Sequence, residues 1–366
     1  MTARTIRVLG ADYLLPTWYP RAAVLGLAAL DRLRAVGAKR TVRPRPALAQ
    51  ATIVIARPDH LGDLVQVTTL LHALRTQLPL ARLVLLHGSW GRPLAQWLRD
   101  DGRVDALVEY DAAWLHAPGT SWAERLRRER ETRASAAAAL RALGPHVYLD
   151  MRLTTPNTLA VARAGGAAWI AGFGLRGESW GYDARIRYDE AASLPQNWLH
   201  VLEALDLAPV RYAGPVLPRV DPVDPPFIAL QPGSRSTAKA IPDAVLRTLV
   251  PALADVAPVH VLGDARDRAR YAWLTELAPV GRVRNRCGET TLPELVRVVG
   301  EAAAVVASES LVAHLALGHA RPLVALIPAR ITPAAFPRGV TCYRVLEPTV
   351  PPAQVIDALR RSGFAP

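Results

Sequence analysis

Short apolar runs alternate with longer stretches of helical periodicity along most of the chain. A short, nearly continuous apolar run that ends at a proline, a glycine or a charged residue is typical of a buried parallel strand. Such runs predict strands at 51–57, 82–88, 106–111, 146–152, 167–174, 227–233, 259–264, near Val283, and at 304–310 and 322–328. The stretches between them predict helices at 63–78, 92–100, 121–143, 156–164, 196–206, 242–255, 266–277, 291–300, 312–318 and 351–362. This alternation indicates βαβ units, in which helices cover both faces of a parallel sheet.

The alternation stops once and then restarts, which divides the 366-residue chain in two. The stretch between the halves is dense in proline, which restricts its own backbone and that of the preceding residue, so an extended linker is predicted. We predict an α/β fold of two Rossmann-like, doubly wound parallel-sheet domains that face a cleft. The predicted bounds are an N-terminal extension at 1–50, domains at 51–207 and 227–348, a linker at 208–226 and a C-terminal helix at 349–366.

The loop that follows the first predicted strand of the N-terminal domain carries a candidate catalytic carboxylate. In open α/β sheets, ligands bind beyond the carboxyl ends of the strands, where loops lead into helices. Gly62 permits a tight turn there, and Asp63 stands at the start of the predicted helix. Aspartate is also a favoured N-cap residue. The sequence alone therefore leaves Asp63 open between a helix cap and a catalytic group.

The loop after strand 227–233 has the features of a phosphate site. Gly233 and Ser234 let backbone amides approach an anion, and Lys239 adds a positive charge near the start of the next helix. The loop lacks the GKS/T ending of a Walker motif, and the GxGxxG dinucleotide fingerprint is absent from the chain. By itself, the loop indicates a generic phosphate site.

Two later loops also place polar side chains at strand ends. The carboxylates of VLGDARDR (261–268) either accept hydrogen bonds from ribose hydroxyls or begin a helix, with Asp264 as its cap. The segment VVASESLVAHLALG (305–318) contains Glu309 and His314. This segment either contributes to a ligand site or consists of a helix cap followed by a half-buried histidine. Both alternatives stay open for both loops.

The charge balance favours anionic partners. The formal net charge is +12, which suits a nucleotide, a phosphorylated acceptor, an acidic membrane face or nucleic acid, although an arginine-rich coding background gives the same excess. Nucleic acid is disfavoured because the chain has neither a recognition module nor interleaved aromatic and basic residues. Lysine occurs only at Lys39 and Lys239. A lysine kept where arginine is the rule suggests a chemical requirement, because ammonium and guanidinium groups are not interchangeable.

The N-terminal extension leaves membrane contact open. Residues 13–33 are apolar and amphipathic and run into several arginines, so they either lie on an anionic membrane surface or pack as a helix on the protein's own body. No apolar stretch is long enough to span a bilayer, and no signal peptide is recognised. Cys287 and Cys342 form no CxxC or metal-ligand pattern, which favours a reducing compartment. We expect a cytoplasmic protein, with peripheral contact at the inner membrane face through residues 1–45 left open.

Taken in order, the strand-end loops resemble glycosyltransferase family 9, the ADP-heptose:lipopolysaccharide heptosyltransferases. The family pattern R-x-D-x-x-G-D is matched by Arg57, Asp59, Gly62 and Asp63, and its P-G…K…P pattern by Pro232, Gly233, Lys239 and Pro242. Further blocks that resemble the family are 150–177, GDARD at 263–267, CGETTLPEL at 287–295 and SESLVAHLA at 308–316. The resemblance extends over about residues 51–345.

The resemblance implies a GT-B fold and an inverting transfer from a nucleotide-diphosphate sugar, an ADP-sugar, without a metal ion or other cofactor. It assigns the acceptor to the N-terminal domain and the donor to the C-terminal one. Asp63 is then the general base, Asp267 and Glu309 contact the nucleoside, and Arg57, Asp59, His60 and Gly62 lie on the acceptor side. The residues assigned to the diphosphate are Gly233, Ser234, Arg235, Lys239, Ser310, Leu311 and His314. The acceptor implied is an anionic or polar glycan, a glycolipid or a natural product.

Departures from the family pattern keep a second function open, and all lie on the donor side. Glu309 replaces the family's aspartate, Leu311-Val312 replaces Gly-Pro, Ile241 replaces tryptophan, and Asp267 replaces a ribose-binding glutamate. Glycine lets a backbone approach phosphates closely, so a leucine in its place reshapes or closes the pocket. The alternative to an active transferase is a catalytically silent binding or scaffold protein that has lost donor contacts.

Overall fold

The computed structural model describes residues 4–8, 11–15, 25–26, 29–30, 33, 42–113, 120–153, 158–175, 179–234, 237–329 and 335–365. The chain divides into two compact units, Met1–Tyr212 and Ala213–Pro366, hereafter unit 1 and unit 2. Each unit is built on a six-stranded sheet. The domain bounds predicted from the sequence stay a prediction.

The sheet of unit 1 has the Rossmann strand order. An antiparallel pair, β1 (Arg4–Val8) and β2 (Ala11–Leu15), precedes it along the chain. The strands of the sheet are β3 (Thr52–Ala56), β4 (Arg82–His87), β5 (Ala106–Glu109), β6 (Val147–Asp150), β7 (Trp169–Gly172) and β8 (Ala184–Arg185). They lie in the order β5-β4-β3-β6-β7-β8, and the direction of winding reverses between β3 and β6. These two strands pair in parallel, with Val54 beside Tyr148.

Helices cover this sheet and bury its central strands. They are α1 (Leu61–Gln66), α2 (Thr68–Gln77), α3 (Arg92–Asp100), α4 (Trp122–Leu143), α5 (Leu159–Ala164), α6 (Leu194–Leu199) and α7 (Val201–Ala204), with 3-10 turns at Ser89–Gly91 and Ser179–Gly181. The long α4 begins where the Ser121 hydroxyl accepts the Glu124 amide, and it ends at Gly144, whose φ of 62° suits a glycine. All five residues of β3 are buried, which explains why its sequence is a continuous apolar run.

Unit 2 repeats the same winding. Its strands are β9 (Ile228–Gln231), β10 (Val259–Val261), β11 (Val283–Asn285), β12 (Ala304–Ala307), β13 (Leu323–Leu326) and β14 (Tyr343–Leu346), in the order β11-β10-β9-β12-β13-β14. Its helices are α8 (Asp243–Val256), α9 (Ala265–Arg270), α10 (Leu292–Glu301), α11 (Leu311–Gly318) and α12 (Pro352–Arg361), with 3-10 turns at Thr237–Lys239 and Ala272–Leu277. The winding reverses between β9 and β12, where Val305 lies beside Ala229.

Four predictions about individual elements are wrong. One is the single helix predicted at 196–206, which is two helices, Leu194–Leu199 and Val201–Ala204, that meet at His200. Residues 11–15 form a strand rather than the start of a helix at Tyr13, because their backbone groups pair with β1. The single helix predicted at 63–78 is two helices that meet at Val67, and the helix predicted at 266–277 turns into a 3-10 helix after Arg270. The short strands β8 and β14 were not predicted. Both lie at sheet edges, where partial exposure removes the apolar run that marks a buried strand.

Candidate active site

Asp63 lies in the first turn of α1, directly beyond the carboxyl end of β3. The N-cap of this helix is His60, and Asp63 is the third helical residue. One oxygen of its carboxylate, Oδ2, accepts the backbone N–H of His60 at 3.3 Å. The prediction that Asp63 is the N-cap residue is therefore wrong, although its side chain does accept a backbone N–H at the helix start.

Asp63 also ends a chain of four alternating charges. Arg57 Nη2 lies 3.2 Å from Asp63 Oδ1, and Arg57 Nη1 lies 3.0 Å from Asp59 Oδ2. Asp59 in turn pairs with Arg152 from the loop after β6. We call Arg152, Asp59, Arg57 and Asp63 the four-charge chain. Its formal charges cancel, and it joins the loops after β3 and β6, the strands between which the winding reverses.

Burial and aromatic contacts fix the centre of the four-charge chain. The Arg57 side chain is 7% exposed, its guanidinium lies 4.0 Å from the ring centroid of Trp198, and Nη1 donates to the carbonyl of Met151 at 2.9 Å. The indole N–H of Trp90 donates to the carbonyl of Asp59 at 2.7 Å. A cation held this way has little freedom to turn. Asp63, 28% exposed, is the member of the chain with the most access to solvent.

A fully buried carboxylate orders the loop that carries Arg152. Asp150 Oδ2 accepts the backbone N–H of Thr158 at 2.9 Å and the hydroxyl of Tyr182 at 3.1 Å, and Oδ1 accepts the Arg152 amide at 3.2 Å. Burial raises the pKa of Asp150 to about 6, although these hydrogen bonds act in the opposite direction. Asp150 therefore fixes the start and the end of the segment 152–158 without facing solvent.

Sequence reasoning missed Arg152, Trp198 and Trp90. A signal was present for Arg152, since it follows the end of β6 and so stands at the same sheet edge as the loop after β3. No signal marked the two tryptophans, because their contacts depend on how distant segments pack.

In unit 2, the loops after β9 and β12 are tied together by side-chain hydrogen bonds. The Ser308 hydroxyl donates to the carbonyl of Gly233 at 2.8 Å, and Gln231 Nε2 donates to the same carbonyl at 2.5 Å. The Ser310 hydroxyl bonds to Gln231 Oε1 and lies 3.2 Å from the carbonyl of Ser308. The predicted diphosphate residues Gly233 and Ser310 are thereby brought to one place, and Ser234 follows directly. Arg235 lies outside the described residues.

Lys239 and Glu309 form an ion pair across these two loops. Lys239 Nζ lies 2.9 Å from Glu309 Oε2, and the two side chains are 36% and 15% exposed. Lys239 ends the 3-10 turn Thr237–Lys239. Glu309, which the resemblance assigns to the nucleoside, thus contacts the lysine assigned to the diphosphate.

Asp267 lies against the loop after β9. A Cβ atom at Gly233 would stand 3.2 Å from both Asp267 carboxylate oxygens, and one at Gly263 would stand 2.7 Å from Asp267 Oδ2. Asp267 is the third residue of α9 and accepts the backbone N–H of Asp264 at 3.2 Å, while Asp264 is the N-cap, as its capping interpretation predicts. The two glycines leave the room that this carboxylate occupies.

The two remaining predicted diphosphate residues lie on α11. Leu311 is its first residue, beside the free amides of the helix start. His314 is buried rather than half-buried, and its ring centroid lies 5.5 Å from that of Phe336. Among the described residues, no group of three His, Cys, Asp or Glu side chains is arranged to hold a metal ion. Metal independence itself stays a prediction.

One family model matches the part of the chain that contains the loops after β9, β10 and β12. Residues 177–331 match the model of glycosyltransferase family 9 (heptosyltransferase). The resemblance to family 9 is confirmed. The matched segment includes the loops that carry Gly233, Lys239, Asp267 and Ser310, whereas Asp63 lies outside it. No curated protein matches the chain.

Solved structures establish the fold. The ADP-heptose LPS heptosyltransferase II of E. coli is 20% identical with a TM-score of 0.65, over 84% of this chain and 97% of that one. A family 9 glycosyl transferase from Veillonella parvula is 16% identical with a TM-score of 0.68, over 87% and 98%. The E. coli heptosyltransferase WaaC with ADP is 14% identical with a TM-score of 0.68, over 85% and 100%. The predicted GT-B class, with two Rossmann-like parallel-sheet units, is confirmed.

Proposed function

We propose that this protein is a glycosyltransferase that moves a heptose or related sugar from an ADP-sugar to a hydroxyl of a glycan, a glycolipid or a natural product. The observation that supports this most strongly is the meeting of Gly233, Lys239, Asp267 and Ser310 at the carboxyl edge of one sheet. Lys239 supplies charge, and the loop after β9 and the start of α11 supply amides for a diphosphate. The Asp267 carboxylate accepts ribose hydroxyls.

The chemical step proposed for Asp63 is general-base catalysis. Its carboxylate takes the proton of the acceptor hydroxyl while that oxygen bonds to the anomeric carbon, and the bond from this carbon to the donor diphosphate breaks on the opposite side. Lys239 and the amide donors then neutralise the departing ADP, so no metal ion or other cofactor is required. Arg57 holds one carboxylate oxygen of Asp63, which orients the base. The Arg57 and Asp59 loop contributes to the acceptor side.

The donor proposal is tested by calorimetric titration with ADP, UDP, GDP and TDP. We expect ADP to bind most tightly and Lys239→Ala to weaken it by about 1–3 kcal/mol, because a charge-assisted contact is lost. Arg219→Ala is the matched control, since Arg219 is an exposed cation of the same unit that pairs only locally with Asp221. If no nucleotide binds at millimolar concentration, the proposal fails and the silent scaffold becomes the better account.

The catalytic proposal is tested with Asp63→Asn, which keeps the shape of the side chain. With the donor found by titration, we expect turnover to fall by about 10²–10⁴-fold while donor affinity stays unchanged. Asp221→Asn removes an equivalent charge at an exposed position and serves as control. Retained turnover in Asp63→Asn would remove this residue from the mechanism and leave the donor site standing.

We also propose that residues 1–45 contact an anionic membrane face from the cytoplasm. The described helical residues 25–26, 29–30 and 33 lie on one helical face, and all are exposed, with Leu33 72% exposed. Arg43 and Arg45 are engaged within unit 1, with Asp183 and Asp206, which ties the end of this segment to the unit. Among the described residues, no helix is long and apolar enough to cross a membrane.

Sedimentation with phosphatidylglycerol vesicles tests the membrane proposal. Replacement of Leu25, Leu30 and Leu33 by serine should abolish cosedimentation, because the apolar face supplies the insertion energy. Serine at Leu80 and Val280, which are also exposed apolar residues but lie elsewhere in the chain, is the control and should leave binding intact. Equal binding of both variants, or no binding by the natural sequence, would contradict the proposal.

A further inference from the structure

Glu309 stands on a fixed piece of backbone. Both of its neighbours are anchored through their hydroxyls. The Ser308 hydroxyl donates to the Gly233 carbonyl, and the Ser310 hydroxyl bonds to Gln231 Oε1. Two anchored neighbours leave the Glu309 main chain little freedom, so only the side chain of this residue is able to change its direction.

The Glu309 carboxylate forms an ion pair with Lys239, the cation that the proposed donor diphosphate needs. Its Oε2, which is itself buried, lies 2.9 Å from Lys239 Nζ, and the Lys239 side chain keeps access to solvent. The two formal charges cancel before any ligand arrives. A diphosphate that binds Lys239 must therefore lie beside the Glu309 carboxylate or displace it, and two anions in contact repel each other.

We propose that Glu309 is an internal competitor for Lys239 that selects the intact donor over the bare nucleotide. This rests on the proposed function. When the diphosphate binds Lys239, the displaced carboxylate swings to the donor sugar and accepts hydrogen bonds from its hydroxyls. A nucleoside diphosphate without a sugar leaves the carboxylate uncompensated. After transfer, Glu309 therefore returns to Lys239 and favours release of the product.

This role uses the residue by which the chain departs from the family's aspartate. An unpaired carboxylate near a diphosphate is costly, whereas one that accepts sugar hydroxyls has its lone pairs satisfied. Discrimination of this kind comes from penalising the wrong ligand as well as from binding the right one. The Glu309 carboxylate is the repulsive element against free nucleotide.

Calorimetry with ADP and ADP-glucose separates the possibilities. We expect the natural protein to bind ADP-glucose more tightly than ADP. The Glu309→Gln protein should bind ADP about tenfold more tightly than the natural protein does. It should also lose the preference for ADP-glucose over ADP. Glu301→Gln is the matched control, because Glu301 pairs with Arg297 within α10. Equal or weaker ADP binding by Glu309→Gln overturns the competitor role. If Lys239→Ala still weakens ADP in that case, the donor site survives; if no protein binds either ligand, both proposals fall.

The scarcity of lysine allows the ion pair to be observed directly. Protein labelled with ¹³C at the lysine ε-carbon gives signals from Lys39 and Lys239 alone, and Lys239→Arg assigns them. Without ligand, Glu309→Gln should shift the Lys239 signal and leave that of Lys39 in place. Saturating pyrophosphate should bring the Lys239 signals of the two proteins together, because Glu309 no longer contacts the lysine. An unchanged Lys239 signal in ligand-free Glu309→Gln, or signals that stay apart with pyrophosphate bound, would overturn the proposal.

Discussion

Two aspartates at helix starts combine a structural contact with a proposed chemical role. Asp63 and Asp267 are each the third residue of the helix that follows a strand, and each accepts the backbone N–H of the N-cap residue. That bond uses one oxygen and fixes the side chain, which leaves the other oxygen for a second partner. For Asp63 this partner is Arg57. A structural role at the helix start therefore does not exclude a chemical one.

Replacing Arg57 tests the energy stored in the four-charge chain. Arg57→Met keeps an apolar side chain beside Trp198 but removes the cation that Asp59 and Asp63 share, while Asp59 keeps Arg152. We therefore expect the free energy of unfolding to fall by about 1–3 kcal/mol. Urea denaturation measures this. Arg99→Met, which breaks an exposed pair with Asp100, should change it by about 0.5 kcal/mol or less. A loss no larger than this control would show that the chain adds nothing to stability.

The pH dependence of stability should report on Asp150. Its pKa rises on folding from 3.8 to about 6, so the folded state holds this proton more tightly. The stability it contributes is complete below pH 3.8 and is lost as the pH rises through 6, by up to about 3 kcal/mol. Between pH 4 and 7, this loss should lower the urea denaturation midpoint of the natural protein as the pH rises. The same contribution should be absent from Asp150→Asn. Identical pH profiles in the two proteins would contradict the assignment.

At the level of elements, the sequence predicts the buried strands and the repeated strand–helix units. Continuous apolar runs predicted the ten strands of the two sheets other than β8 and β14, and the strand-end rule predicted that Gly233, Lys239 and Asp267 stand at one edge. The sequence did not predict the Lys239–Glu309 ion pair or the stacking of Arg57 on Trp198. Such contacts depend on side-chain directions between distant segments, which periodicity does not encode.

Gly263 tests whether α9 must start where it does. A methyl group there would stand 2.7 Å from Asp267 Cβ and 2.9 Å from Cys287 Sγ, so Gly263→Ala must move the start of α9. We expect a loss of about 1–3 kcal/mol in unfolding free energy and weaker ADP binding through Asp267. Gly233→Ala, whose closest contacts are 3.2 Å to the two Asp267 carboxylate oxygens, meets a milder overlap and should cost less stability. Equal losses in denaturation would contradict this account.

At the scale of the whole molecule, one winding order occurs twice, and each copy has its candidate site residues at the same place. In both six-stranded sheets the winding reverses between the first and the fourth strand of the sheet in chain order, β3 and β6 in unit 1 and β9 and β12 in unit 2. The loops after these strands carry the four-charge chain in unit 1 and the Lys239–Glu309 pair in unit 2. Ligand sites at such reversals follow from the fold itself, because the loops diverge there and leave a crevice.

Unit 2 should fold alone only when α12 is included. Val355, Leu359 and Phe364 belong to the same buried cluster as Leu246 and Val250 of α8. A fragment of residues 213–366 keeps that cluster whole, so we expect cooperative thermal unfolding and ADP binding comparable to that of the full chain. A fragment of residues 213–348 loses about 5 kcal/mol of apolar burial, which is of the order of a domain's entire stability, and should remain unfolded. Cooperative unfolding of the shorter fragment would show that α12 is an accessory, and failure of the longer one would show that unit 2 depends on unit 1.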